Sequence, residues 1–103
     1  MTKAAGSVWL FHPNGMHARP AIKLTKLAKR FAASVRVAVS EAGPWTDAKS
    51  VARVMAMKTP THVTLYFEAE GNDAHDAVRA LTKLVESDFD VLDEGEQTAA
   101  QAT

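Results

Sequence analysis

The residues best suited to chemistry lie in one short run, Asn14-Gly15-Met16-His17-Ala18-Arg19-Pro20-Ala21. An imidazole has an ordinary pKa of about 6.5, so near neutral pH it carries a lone pair able to attack phosphorus. Gly15 lets the backbone turn, and Pro20 suits the first turn of a helix, where an amide proton has no intrahelical acceptor to lose. His17 is therefore expected at the boundary where a helix begins. The outward amides of the first turn and the positive end of the helix dipole make such a boundary an anion site. Arg19 adds a permanent cation whose forked donors suit phosphate oxygens. The helix end and Arg19 both disfavour imidazolium, the helix end by about 0.3–1 kcal/mol, and both can balance the charge of an attached phosphoryl group. An isolated histidine ahead of a helix is ordinarily a surface or capping residue. Here Gly, His, Arg and Pro follow in tight order, each with a separate task, and the chemistry they support together is phosphoryl transfer on His17.

Those residues must be held by a strand before them and a helix after them. Val8 to Phe11 reads as a first strand, stopped at Pro13-Asn14-Gly15. From Ala18 to about Phe31, apolar Ala21, Leu24, Ala28 and Phe31 recur at helical steps. Val35, Val37 and Val39 alternate with Arg36, Ala38 and Ser40 as a half-buried strand, and Glu41-Ala42-Gly43-Pro44 turns it into a short strand around Trp45 to Asp47. A brief helix is predicted from Ser50 to about Met55, with Pro60 disfavouring helix at Thr59. Val63, Leu65, Phe67 and Ala69 make the clearest strand. Ala74, Ala77, Val78, Leu81, Leu84 and Val85 stripe the clearest helix, with Asn72 or Asp73 as its cap. The order βαββαβα predicts an α+β fold, a four-stranded, mainly antiparallel sheet with helices on one face. Residues 1–93 are expected to form one domain, and the small, polar 94–103 a disordered tail.

Composition narrows the function. The chain has 103 residues, 47% of them apolar, enough for a core without staples. It has no cysteine, which removes disulfides, thiolate metal sites and thiol nucleophiles and agrees with a reducing compartment. Twelve cations and twelve carboxylates cancel, so bulk attraction to nucleic acid or an anionic membrane is not expected. No run is long and apolar enough for a signal core or a membrane span, and a cytoplasmic protein is expected. His12, His62 and His75 lack ligand-like spacing, so no metal is predicted, and they are assigned to surface or turn roles. Trp9 and Trp45 are expected to pack, and Tyr66 to face outward.

The run Gly15-Met16-His17-Ala18-Arg19-Pro20-Ala21 resembles the phosphohistidine signature of the HPr family, the histidine-containing phosphocarriers of the phosphoenolpyruvate-dependent sugar phosphotransferase system. Ala48-Lys49-Ser50-Val51 resembles the family's regulatory serine segment, and Glu68-Ala69-Glu70-Gly71-Asn72-Asp73 with Ala77 and Leu81 its last strand and helix. The resemblance runs from about Val8 to Glu86 and implies an open-faced βαββαβα sandwich. It further implies that His17 is phosphorylated at Nδ1 by enzyme I and passes the group to a histidine of a IIA-type protein, with Arg19 steadying the phosphate. The protein would then be a stoichiometric carrier rather than an enzyme, with no cofactor.

Ser50 carries two readings. The resemblance implies a site for an HPr serine kinase, whose phosphate would add about −1.5 to −2 charges beside the docking surface. The bland alternative is a helix cap contributing about 1 kcal/mol. Lys23, Lys26 and Arg30 recur down one side of the first helix with Lys29 adjacent, a solvated face that would also steer acidic partners. Val51, Val54 and Met55 offer apolar contact or core. Val51-Ala52 is smaller than the pair common in the family, Lys58 stands where a glycine is usual, and the Gly43-Pro44 connection is slightly long. These departures leave room for a regulatory adaptor of a specialised branch, serving nitrogen regulation or dihydroxyacetone kinase and controlled at Ser50. An RNA-binding module would need exposed strand aromatics on a basic sheet, and Tyr66 is the one convincing outward aromatic. A self-contained enzyme would need a second catalytic group, and none is evident.

Overall fold

The computed structural model describes residues 2–11 and 18–89. Seven elements follow the predicted order: β1 (Lys3–Leu10), α1 (Ala18–Ala28), β2 (Ser34–Ala38), β3 (Thr46–Asp47), α2 (Val51–Ala56), β4 (Val63–Glu70) and α3 (Ala74–Glu86). The strands form one sheet in the order β1-β4-β2-β3, and every pair is antiparallel. The result is an open-faced α+β sandwich. Residues of alternating sheet positions, Val8, Leu10, Val35, Val37, Leu65 and Phe67, share one core with Ala21, Leu24 and Ala28 of α1, Val54 of α2, and Ala77, Leu81 and Val85 of α3. All three helices therefore cover the same face, as period-2 strands and 3.6-period helices require when each has one apolar side.

The strand β1 is longer than the sequence predicts. It begins at Lys3 rather than Val8 and pairs with β4 along its whole length, Lys3 opposite Glu70 through Leu10 opposite Val63. Ala4, Ala5, Gly6 and Ser7 are too small to show an alternating pattern. Gly6 is small for a reason found only in the fold, because a Cβ there would meet Val78 Cγ1 of α3 at 2.8 Å. Trp9 departs from expectation too. It points to the uncovered face of the sheet and is 51% exposed, its ring 6.3 Å from that of His62 rather than in the core. Trp45 is half-buried, with the Arg36 guanidinium 6.0 Å from its ring.

The regular part of α1 ends at Ala28, three residues before Phe31, whose amide closes a tighter turn on the Ala28 carbonyl. At α3, Asp73 occupies the cap position but makes no side-chain cap bond. Its carboxylate instead accepts from the amides of Ala32 and Ala33, both at 2.8 Å, beyond the end of α1. Lys49 closes the same stretch from the other side by donating Nζ to the Phe31 carbonyl at 2.8 Å. Lys58 has φ 51°, and its amide bonds back to Met55 in the manner of a left-handed helix stop.

Candidate functional site

The site begins at the N-terminus of α1. His17, with His12 and residues 13–16, lies outside the described residues, as does the predicted tail 94–103. Ala18 is the first residue of α1, so the helix starts where the Gly-His-Arg-Pro order predicts. Pro20 falls in the first turn and is buried, wedging that turn onto the core, while Arg19 beside it is exposed. The helix is seated by Ala21, Leu24 and Ala28, all without solvent exposure. No acidic side chain occupies its first turn, so no carboxylate within that turn offsets the partial positive charge of a helix N-terminus.

Ser50 is the residue before α2. Its hydroxyl accepts from the Arg53 amide at 3.3 Å, the capping geometry, and its backbone is extended as a cap requires. The neighbouring Lys49 is anchored to Phe31, so the start of α2 is tied to the segment that ends α1. The three apolar residues of α2 separate: Val54 is in the core, Val51 is half-buried, and Met55 is 41% exposed. Ile22 of α1 is exposed to a similar degree.

The basic face of α1 is present with one modification. Arg19, Lys26, Lys29 and Arg30 are exposed, but Lys23 is half-buried and donates Nζ to the Phe89 carbonyl at 2.9 Å, just past α3. No local pattern signals that contact, because the residues are 66 positions apart. On the uncovered sheet face the cations are matched by carboxylates: Arg36 pairs with Glu68, and Lys3 with Glu70 at 3.7 Å. Trp9 joins Tyr66 as an outward-facing aromatic there, against expectation. His62 sits in the turn before β4 with φ 60°, its amide bonded to Leu10, and His75 is exposed in the first turn of α3. Among the described residues, no helix is long and apolar enough to cross a membrane.

Residues 7–87 match the family model described as the PTS HPr component phosphorylation site. Phosphocarrier protein HPr of Cupriavidus necator is 38% identical over 75 residues, which cover 73% of this chain and 82% of that protein. Phosphocarrier protein NPr of Shewanella violacea is 33% identical over 90 residues, 87% of this chain and 97% of that one. Among solved structures, HPr-C-His from Thermoanaerobacter tengcongensis superposes with a TM-score of 0.72 at 27% identity, covering 89% of this chain and 99% of the other.

Proposed function

The chain belongs to the HPr family of phosphotransferase-system phosphocarriers, and on that premise we propose that His17 accepts a phosphoryl group from phospho-enzyme I and passes it to a histidine of a IIA-type protein. The observation that carries this reading is the beginning of α1 at Ala18, within a family match that spans residues 7–87. The lone pair of the His17 Nδ1 attacks phosphorus in line. A new P–N bond forms while the P–N bond of the donor histidine breaks, and the second transfer reverses the roles. Positioning and charge balance do most of the work in such a displacement. The first-turn amides of α1 and the Arg19 guanidinium are the groups of this chain suited to hold the phosphoryl oxygens. The protein is a stoichiometric carrier acting in the cytoplasm, and its own residues need no metal or cofactor for the exchange.

A second reading is a regulatory adaptor of a specialised branch controlled by phosphorylation of Ser50; the 90-residue alignment with a relative named phosphocarrier protein NPr bears on the branch and not on Ser50. The carrier reading needs His17 as the phosphoacceptor, whereas an adaptor without phosphoryl flux has no use for that nucleophile. The test is incubation with phosphoenolpyruvate and enzyme I, comparing wild type with His17→Ala. An acid-labile, base-stable adduct is expected in the wild type alone, and it is discharged by a IIA-type protein. Wild type left unmodified by an active, cognate enzyme I would overturn the relay.

A further inference from the structure

The zero net charge of this chain conceals a division. All twelve cations lie in residues 1–89 with eight of the carboxylates, whereas residues 90–103 hold four carboxylates, Asp90, Asp93, Glu94 and Glu96, and no cation. The cations are themselves concentrated: residues 1–40 carry seven and no carboxylate at all. Four of them, Arg19, Lys23, Lys26 and Arg30, are spaced by four, three and four residues, which at 100° per residue places them in one stripe along α1 and the turn after it. Lys29 flanks the stripe.

The fold brings Phe89, the residue before the acidic segment, to this stripe. Lys23, in its middle, is bonded through Nζ to the carbonyl of Phe89 at 2.9 Å. Phe89 is buried and its amide is bonded to the Leu84 carbonyl at 2.8 Å, so the point from which residue 90 departs is held against α1. From there Glu96 is seven residues on, a span of up to roughly 23–25 Å. The eleven residues of α1 are about 16 Å long, so the carboxylates can reach either end of the stripe.

We propose that the acidic segment 90–96 of this chain docks on the basic stripe of α1 and shields it from acidic partner proteins. The occupant is intramolecular because its point of departure is already fixed beside Lys23, which gives the carboxylates an effective local concentration that a separate protein must overcome. Such a contact is electrostatic and weak. It is screened by salt and lowers the encounter rate with an acidic partner rather than abolishing transfer. The contacts above fix the point of departure at Phe89; the consequence for phosphoryl transfer rests on the phosphocarrier reading.

The test uses the full chain. Since it has no cysteine, Thr98→Cys supplies a single thiol for a nitroxide label. At low ionic strength, paramagnetic broadening of amides is expected on residues 19–30 and not on the uncovered sheet face. It is expected to disappear at 0.5 M salt and in a variant with Asp90→Asn, Asp93→Asn, Glu94→Gln and Glu96→Gln together. Broadening that is absent at low salt, spread evenly over the surface, or unchanged in the neutralised variant would overturn the contact. In the same buffers, the neutralised variant without the label should take phosphoryl groups from enzyme I faster than wild type, by roughly tenfold or less, with the two rates converging at high salt. Broadening on α1 with equal uptake rates would overturn the shielding. Failure of both proteins to accept a phosphoryl group would refute the carrier reading, while the broadening map would still decide the contact.

Discussion

Asp73 Oδ1 accepts a hydrogen bond from the backbone amide of Ala33 at 2.8 Å, forty residues earlier in the chain, and Oδ2 does the same for Ala32. These bonds tie the start of α3 to the segment joining α1 to β2. The carboxyl is held below its ordinary value of 3.8, first by the amide of Ala32, with a further contribution from Ala33 and the charge of Lys49. A lowered folded-state pKa means that the stabilisation is complete above the ordinary carboxylate range and is lost as pH falls through the folded value. Asp73→Asn, which can satisfy only one of the two amides through its single carbonyl oxygen, is therefore expected to lower the urea midpoint at pH 7. The gap from wild type should close as pH drops below 3.8. A gap that stays constant down to pH 2.5 would contradict the assignment.

Gly71 lies against the same segment. It has φ 147°, and a Cβ there would stand 2.7 Å from Ala33 Cα. The obstacle is backbone held by Asp73, not the end of a movable side chain. Gly71→Ala is expected to cost about 1–3 kcal/mol, read as a lower midpoint in chemical unfolding with unchanged slope.

Lys58 offers the opposite experiment. Its φ of 51° places a side chain in the left-handed region, at about 1–2 kcal/mol, part of which glycine returns through its freer unfolded chain. Lys58→Gly should stabilise the protein by about 0.5–1 kcal/mol, and a lowered melting temperature would refute the argument.

Ser50→Ala removes the hydroxyl that accepts from Arg53 and is expected to cost about 1 kcal/mol. Ser50→Asp keeps an acceptor at the cap and should melt close to wild type. If Ser50 also regulates docking, Ser50→Asp will slow phosphoryl uptake from enzyme I while Ser50→Ala does not. Equal uptake by both variants would leave Ser50 with its capping role alone.

What is legible in the sequence is whatever repeats locally. The alternation of Val63, Leu65, Phe67 and Ala69 announces β4, and the spacing of Ala74, Val78, Leu81 and Val85 announces the buried side of α3. Ser50 as a cap and Pro20 in a first turn are legible for the same reason, since each acts on backbone within one helical turn. The first half of β1 was hidden because Ala4, Ala5, Gly6 and Ser7 alternate too weakly to register. Trp9 reads as core because its side chain is large and apolar, yet its odd place in the pleat turns it to the open face.

By itself, then, the amino-acid order determined which stretches are strand or helix, which side of each is apolar, and that His17 directly precedes the first residue of α1. Periodicity and capping act over a few residues, so one dimension suffices to specify them. Only the tertiary structure decided that Asp73 serves Ala32 and Ala33 rather than its own helix, and that Lys23 holds the Phe89 carbonyl. Those partners lie 40 to 66 residues apart. Nothing in their sequence neighbourhood encodes the distance between them, which is set when three helices bury their apolar sides on the same face of one sheet.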